Sequence, residues 1–416
     1  MKRIFVYFLL AVLLFGCGTT NKKPADTEVA SKSEASEPAK AKDPIEAVKR
    51  QAEETTETAK QQTEGTTEAV KQQVEIATED ASQKVDLLKA EDDFILALNR
   101  GKALYAQGKF DEAIKEFSNA ITLKSDLEDA YFYRGLSYYG KQDYDQAIAD
   151  YNQVIQFNPE NTVAYNDRGL AYFNKQDNDR AFSDYNEAIR LNSENAEAFN
   201  NRGVAYIEKK DYDHALADYN EAIRLNPNYA DAYYNRGNVY YVKQDNDKAI
   251  ADYTQAIKFS PNDASSYYNR GNAYRAKQDN DKAIADYNQA IQFNPDDADV
   301  YINRGITYKN KQDYDRAIAD YNEAIRIKSN DAIAYNYRGN AYRNKQDYDR
   351  AIADYNQAIQ FNDKYASAYI NRGIVYEDNK NDLNRAISDY ETALKLNPND
   401  ANTKQYLDAA KQKRGR

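Results

Sequence analysis

The chain has 416 residues, a net charge of −11, one cysteine and one histidine. The acidic balance argues against a nucleic-acid partner, because phosphate backbones are bound through an excess of Lys and Arg. A single cysteine cannot form a disulfide within the chain, and one Cys with one His cannot complete a zinc site. We therefore expect no metal, no other cofactor, and no catalytic triad built on His214, which lies at a surface position of a predicted helix.

The N-terminal residues MKRIFVYFLLAVLLFGCG have the pattern of a signal peptide. Lys2 and Arg3 precede an apolar segment that is too short to span a bilayer. It ends in Leu14-Phe15-Gly16-Cys17, which resembles the bacterial lipobox, whose cysteine is diacylated and becomes the mature N-terminus. The open alternative is a plain secretory peptide that happens to contain a cysteine.

The lipobox resemblance implies that residues 1–16 are removed and that Cys17 is the lipidation site. Lipid chains would then hold the protein at a membrane of the bacterial cell envelope without a spanning helix. Gly18 follows Cys17 in place of an aspartate that would retain the protein at the inner membrane. This favours the outer membrane, facing the periplasm or the cell surface, in an organism that has one.

Two further segments precede the main repeat. Residues 17–44 are polar, contain Pro and Ser, and lack large apolar groups, so they are predicted to be a flexible tether. Residues 45–93 contain a weaker repeat in which Glu46, Glu57 and Glu68 recur every 11 residues. Eleven residues make almost three helical turns, which predicts a partly helical spacer with a thin apolar stripe.

From Arg100 onward, the pair Arg-Gly recurs every 34 residues through Arg372, which defines nine units beginning at Phe94. Numbering each unit from seven residues before its Gly, position 4 is aromatic in all but the first unit, position 8 is Gly and position 11 is mostly Tyr. These spacings place the three positions on one face of a helix. After Lys-Gln-Asp, Ala at position 20 and an aromatic residue at position 24 predict a second helix, which Asn-Pro near position 32 ends.

These residues resemble the tetratricopeptide repeat (TPR), whose pattern is W-x2-L-G-x2-Y, A-x3-F and P at this period. The resemblance covers residues 94–400 and implies an all-α fold, a right-handed superhelical α-solenoid of about nine TPR helix pairs. Residues 401–416 would form a C-terminal capping helix with a basic tail. One extra residue in NKNDLN, residues 379–384, is expected to lengthen the last turn within a pair.

Arginine occupies position 7 in all nine units, where the family usually has Leu, and position 23 is Asp from Asp150 through Asp389. Both positions flank the buried stripes on facing helices. We expect one partly buried, bidentate Arg–carboxylate pair per repeat, for example between Arg270 and Asp286. The alternative is two unrelated surface charges.

Ligand binding is expected on the first helix of each pair, at positions 2, 5, 9 and 12, because the resemblance implies that this face lines a concave peptide-binding groove. Repeats 1–5 supply mostly apolar groups there, and repeats 6–8 supply polar and cationic ones. Asn at position 6 is the third candidate set, since an amide can both donate to and accept from a peptide backbone. The candidate protein-binding residues are Phe132, Tyr139, Phe173, Asn201, Tyr234, Asn235, Tyr241, Asn269, Asn272, Arg275, Asn303, Lys309, Asn340 and Arg343.

These patterns predict a membrane-anchored TPR scaffold or adaptor of the cell envelope that binds a protein or peptide partner. No repeat has the Lys at position 5 that chaperone-binding members use, so a heat-shock C-terminus is not the expected ligand. The alternatives are a glycan or cell-wall binding module, which would use groove tyrosines for stacking, and a homo-oligomeric structural protein. The spacer could also occupy the groove. An enzyme is the least favoured class, because the groove positions carry few acids.

Overall fold

The computed structural model describes residues 93–415 together with Glu79 and Gln83. The predicted signal peptide, Cys17, the tether and most of the spacer therefore lie outside the described residues. The described residues contain helices and turns and no strand, and they divide into two compact units, the first of which ends at Lys209. The all-α solenoid class is confirmed: within each unit, antiparallel helix pairs stack on their neighbours in chain order.

In the first unit, four first helices of a pair (A helices) alternate with three second helices (B helices). The first A helix, α1, comprises helical residues 93–106. The other six are α2 Phe110–Leu123, α3 Glu128–Gly140, α4 Tyr144–Phe157, α5 Thr162–Asn174, α6 Asn178–Leu191 and α7 Ala196–Glu208.

The second unit begins with a B helix and ends with a helix outside the repeats. Its A helices are α9 Ala230–Val242, α11 Ala264–Ala276, α13 Ala298–Asn310, α15 Ala332–Asn344 and α17 Ala366–Asp378. Its B helices are α8 Tyr212–Leu225, α10 Asn246–Phe259, α12 Asn280–Phe293, α14 Tyr314–Ile327, α16 Tyr348–Phe361 and α18 Leu383–Leu396. The final helix is α19, Ala401–Arg414.

Lys-Gln-Asp forms the turn within six of the nine pairs. In the turn after α11, Gln278 has φ +63°, the left-handed conformation that usually ends a helix. The N–H of Asp279 donates to the carbonyl of Tyr274 at 2.9 Å, and the Asp279 carboxylate accepts from the N–H of Lys282 at 3.3 Å. One tripeptide therefore ends the A helix and caps the B helix.

The core is built on the aromatic side chain at position 24. Tyr287 is fully buried, and its ring lies against Gly271 on the facing helix, where an added Cβ would meet the ring at 2.8 Å. Glycine at position 8 is thus required by the close approach of the ring. Small buried residues at positions 3 and 10, such as Ser266 and Ala273, complete the core.

The core differs in one respect from the predicted apolar stripe. Tyrosines at positions 4 and 11 are mostly half-buried and pack at the edges of the helix pairs, as Tyr267 does against Phe293 with ring centroids 5.7 Å apart. A half-buried tyrosine ring can cover the core without burying an unpaired hydroxyl.

The predicted Arg–Asp pair is confirmed in seven repeats. Arg270 donates from Nε and Nη2 to the two carboxylate oxygens of Asp286, at 2.8 and 2.7 Å. Its third nitrogen, Nη1, donates to Thr254 Oγ1 of the preceding repeat at 3.1 Å, so one guanidinium joins three helices. The same bidentate pair is formed by Arg134–Asp150, Arg168–Asp184, Arg236–Asp252, Arg304–Asp320, Arg338–Asp354 and Arg372–Asp389.

The predicted capping helix and the longer last turn are both present. Leu407 and Ala410 of α19 pack against Tyr390, and the turn before α18 contains Asn381 at φ +51°. The basic residues of the predicted tail, Lys411, Lys413 and Arg414, lie in the last turn of α19. Lys413 pairs there with Glu377 at 2.6 Å.

Candidate functional site: the A-helix face

The side chains at positions 2, 5, 6, 9 and 12 of the A helices form a surface that we call the A-helix face. Unlike the core positions, its residues change from repeat to repeat. In both units most of these side chains are neither buried nor fully exposed. They are therefore packed on the solenoid at their base and open to a ligand at their tip.

In the first unit, the structure brings three predicted site residues onto one apolar cluster. Phe132, Tyr139 and Phe173 are half-buried, and all pack against the core around Tyr151. The Phe132 and Tyr151 ring centroids lie 6.1 Å apart. Asn174 donates to Tyr139 Oη at 2.9 Å, which fixes the orientation of that ring. This face presents aromatic surface held by polar contacts at its edge.

Asp167 is a functional candidate that the sequence analysis did not select. It occupies position 6, where most repeats have Asn, and Asn166 donates to it weakly, at 3.4 Å. Burial and the nearby Glu197 carboxylate raise the pKa of Asp167 to about 8. The signal available in the sequence was an acidic residue at position 6, which is Asn or Tyr in the other repeats.

The predicted Asn residues hold adjacent A helices together. Asn269 donates to Tyr234 Oη and to Asn238 Oδ1 of the preceding repeat, both at 3.0 Å. Asn303 donates to Tyr268 Oη at 2.8 Å, and Asn201 donates to Asn166 Oδ1 at 3.0 Å. The amide hydrogens that were expected to meet a peptide backbone are thus engaged within the protein. Contact of these residues with a ligand stays a prediction, as it does for the half-buried Asn235.

Asn at position 9 has a second structural role. Tyr287 Oη donates to Asn272 Oδ1 at 2.8 Å, and Tyr355 Oη donates to Asn340 Oδ1 at 2.9 Å. These asparagines supply the acceptor that a buried tyrosine hydroxyl needs. Only about a tenth of Asn269 and Asn272 is exposed, so little of either side chain is available to a ligand.

In the second unit, the remaining predicted residues are one aromatic and three cationic side chains, all at position 12. Tyr241 is half-buried and packs with Tyr234 over the core of its repeat. Arg275 donates from Nε to Tyr287 Oη at 3.3 Å. Burial, reinforced by the charge of Arg343, lowers the pKa of Lys309. The second unit therefore offers positive charge where the first offers aromatic surface.

The described residues show neither a metal centre nor a membrane span. No group of three or more His, Cys, Asp or Glu side chains in residues 93–415 is arranged to hold a metal ion. In the same part of the chain, no helix combines the length and the apolar character that crossing a bilayer requires. His214 is exposed, with Nδ1 2.8 Å from Asp211 Oδ2.

Family models identify the repeat. A model described as TPR repeat matches residues 101–142, 137–176, 169–210, 205–244, 237–274, 271–312 and 339–380. Models described as tetratricopeptide repeat match residues 298–331 and 366–400. The chain belongs to the tetratricopeptide repeat family. TPR proteins form a class of protein–protein interaction scaffolds, and this chain is one of them. The search of curated proteins found no match.

Several solved structures are similar to parts of this chain, and three of them follow. The Cut9–Hcn1 hetero-tetramer of APC/C is 17% identical over 76% of this chain and 75% of that chain, with a TM-score of 0.48. The pilF protein of Pseudomonas aeruginosa is 20% identical over 51% and 97%, with a TM-score of 0.47. YrrB, described as a TPR protein with an unusual peptide-binding site, is 22% identical over 47% and 97%, with a TM-score of 0.39. Family membership rests on the family models and not on these likenesses.

Proposed function

We propose that this TPR protein is a membrane-anchored scaffold of the bacterial cell envelope, which holds a partner protein or peptide on its A-helix face. The observation that carries the proposal is the contrast between a constant core and a variable A-helix face. Phe132, Tyr139 and Phe173 remain half-exposed although the same fold is built elsewhere with smaller or polar side chains. Partly exposed aromatic clusters of this kind are typical of interaction sites.

The anchoring half of the proposal depends on the N-terminal sequence. Cys17 follows an apolar segment in the lipobox pattern, and the polar residues up to 44 would give the repeats reach from the membrane. Diacylation would supply the two lipid chains that stable attachment requires. We expect the full chain to incorporate a fatty-acid label and to sediment with membranes, whereas Cys17→Ala does neither. A wild-type chain that carries no label and stays soluble would contradict the anchor.

The binding half is tested by affinity purification of tagged chains from detergent-solubilised envelopes. One variant carries Phe173→Ser with Tyr241→Ser, and its control carries Phe157→Ser with Phe361→Ser on the B helices. Phe157 and Phe361 are about 40% exposed and lie outside the A-helix face. We expect the A-helix variant to lose a protein that the wild type and the control retain, with all three showing the same helical content. Equal retention by both variants would oppose binding at the A-helix face.

A further inference from the structure

Three cations at position 12 form a column on the A-helix face of the second unit. The penultimate residues of α11, α13 and α15 are Arg275, Lys309 and Arg343, so the three cations occupy the same place in successive repeats. Adjacent A helices are in contact along this series. Repeats on either side have other residues at position 12, Tyr241 and Glu377, so the column is confined to three repeats.

The column has no acidic partner within the described residues. None of its three members forms an ion pair there, and the terminal nitrogens of Arg275 have no acceptor in that part of the chain. Cations elsewhere in the same repeats do pair. Each of the three cations at position 19 of the B helices is bound to the aspartate that caps its own helix: Lys282–Asp279, Arg316–Asp313 and Arg350–Asp347.

A buried hydroxyl without a partner lies beside the column. Tyr321 is fully buried and its Oη has no hydrogen-bond partner among the described residues, because position 9 of its repeat is Ile306. The tyrosines in the repeats before and after donate to Asn272 and Asn340. In the preceding repeat the equivalent hydroxyl, Tyr287 Oη, accepts from Arg275 Nε at 3.3 Å, so the Tyr321 hydroxyl occupies the matching place beside Lys309. An anion seated between Arg275 and Lys309 would supply the missing acceptor after a small side-chain shift.

We infer that the second unit binds an extended acidic peptide segment whose carboxylate side chains pair with Arg275, Lys309 and Arg343. Packed helices lie about 10 Å apart, and an extended chain rises about 3.3 Å per residue. The matching ligand therefore carries a carboxylate at every third residue. The guanidinium groups of Arg275 and Arg343 would each bind a carboxylate through two hydrogen bonds. This inference rests on the proposed function and specifies its ligand.

The rest of the face favours a peptide over a continuous polyanion. Asp299 lies on α13 with Lys309, ten residues earlier in the sequence, which places it about 15 Å away along the helix. A nucleic acid wide enough to cover the column would approach this carboxylate and the net charge of −11, and would be repelled. A peptide can place its acidic side chains on the column and neutral residues near Asp299.

The test uses the full chain in detergent and two fluorescent nine-residue peptides of identical composition. The first has Glu at its second, fifth and eighth residues, and the second has the three Glu residues adjacent. Anisotropy should show tighter binding of the spaced peptide. Arg275→Gln with Lys309→Gln and Arg343→Gln should weaken binding about tenfold or more, whereas Lys282→Gln with Arg316→Gln and Arg350→Gln should change it by less than about twofold. Tyr321→Phe should weaken it about threefold.

Several outcomes would overturn the inference. Equal loss of affinity in the two triple variants would mean that net charge alone attracts the peptide. Equal affinity for the two peptides would show that a carboxylate at every third residue is not required. Tighter binding of a polyphosphate chain, lost in the column variant, would assign the column to phosphate. If the peptides fail while a protein is still lost from the Phe173 and Tyr241 variant, the acidic ligand is wrong and the scaffold function stands.

Discussion

The hydroxyl of the tyrosine at position 24 is the residue-scale feature that distinguishes one repeat from another. The ring packs on Gly in the same way throughout, for example Tyr287 on Gly271 and Tyr321 on Gly305. The hydroxyl of Tyr287 is bound by Asn272 and Arg275, whereas that of Tyr321 has no partner in the part of the chain that the structure describes. A buried hydroxyl without a partner costs free energy that a satisfied one does not.

This contrast predicts opposite effects of the same substitution. Tyr287→Phe should lower the free energy of unfolding by about 1–2 kcal/mol, because it leaves Asn272 without its donor. Tyr321→Phe should leave the free energy unchanged or raise it by up to about 1 kcal/mol, because only an unpaired hydroxyl is lost. Urea unfolding followed by circular dichroism measures both. Equal destabilisation by the two substitutions would mean that Tyr321 has a partner.

Asp167 gives the first unit a pH dependence near neutrality. Its folded pKa of about 8 is raised above the unfolded value of about 3.9, so the folded state binds the extra proton between those values. The contribution of Asp167 to stability is therefore greatest below about pH 4 and is lost as the pH rises to about 8. Asp167→Asn should raise the unfolding free energy at pH 8 by about 1–3 kcal/mol and by less at pH 5. Melting curves at the two pH values measure this difference in stability, with Asp145→Asn on the exposed surface as control. The same gain in both variants would contradict this role.

At the residue scale, sequence reasoning predicted the interactions that depend on repeated spacing. Arg270 and Asp286 recur sixteen residues apart on facing helices, so their pairing followed from the period alone. The roles of Asn269 and Asn272 did not follow. An amide at a half-exposed position satisfies a ligand and a neighbouring tyrosine equally well, and only the three-dimensional packing shows the tyrosine hydroxyl within reach.

At the scale of the helices, the arginine at position 7 connects each helix pair to the preceding one. Arg270 joins its own B helix through Asp286 and the preceding B helix through Thr254, and its head lies 5.6 Å from the Tyr267 ring. The side chains of Arg270 and Asp286 are 17% and 8% exposed. Removing one partner of such a buried ion pair destabilises the fold by much more than the intact pair stabilises it, because the remaining charge stays buried without a partner.

Arg270→Met should therefore lower the free energy of unfolding by about 2–4 kcal/mol, because Asp286 keeps its charge without a partner. Asp286→Ala in the same background should recover part of that loss, with a coupling energy of about 1–3 kcal/mol. Arg316→Met, at an exposed position, is the matched control. Additive losses in the double variant would show that the two side chains act independently.

The turn inside each pair is the second element that can be tested. Gln278 adopts φ +63°, which a side chain disfavours and glycine does not, and the first repeat has Gly108 at φ +73° in its turn. Gln278→Gly should raise the free energy of unfolding by about 0.5–1 kcal/mol. Gln289→Gly, in the middle of α12, should lower it by a similar amount. A loss of stability at both sites would indicate that the Gln278 side chain contributes contacts of its own.

At the scale of the whole chain, the sequence predicted the class of the fold, the repeat boundaries and the capping helix, because each depends on periodicity. The ion pair between Lys413 and Glu377 could not be predicted from the sequence, because it forms only where α19 packs on the last repeat. Partner recognition depends on residues that vary between repeats, such as Phe173 and Arg275. The repeat period does not predict the role of such residues.

The A-helix face differs in chemistry between the two units. The first unit presents the aromatic residues Phe132, Tyr139 and Phe173, and the second presents the cations at position 12. Anchored through Cys17, the proposed scaffold would offer apolar and acidic segments of a partner two different surfaces. Salt should weaken binding to the cationic surface and strengthen or spare binding to the aromatic one.

The most direct test of the scaffold is photo-crosslinking in the native cell. A photoreactive phenylalanine derivative is placed at Phe173 or Arg275 on the A-helix face, and at Phe157 or Phe361 on the B helices as control. The proposed function predicts that the same protein is captured from the A-helix positions and not from the controls. Capture confined to the chain's own residues 45–93, or the same products from all four positions, would contradict it.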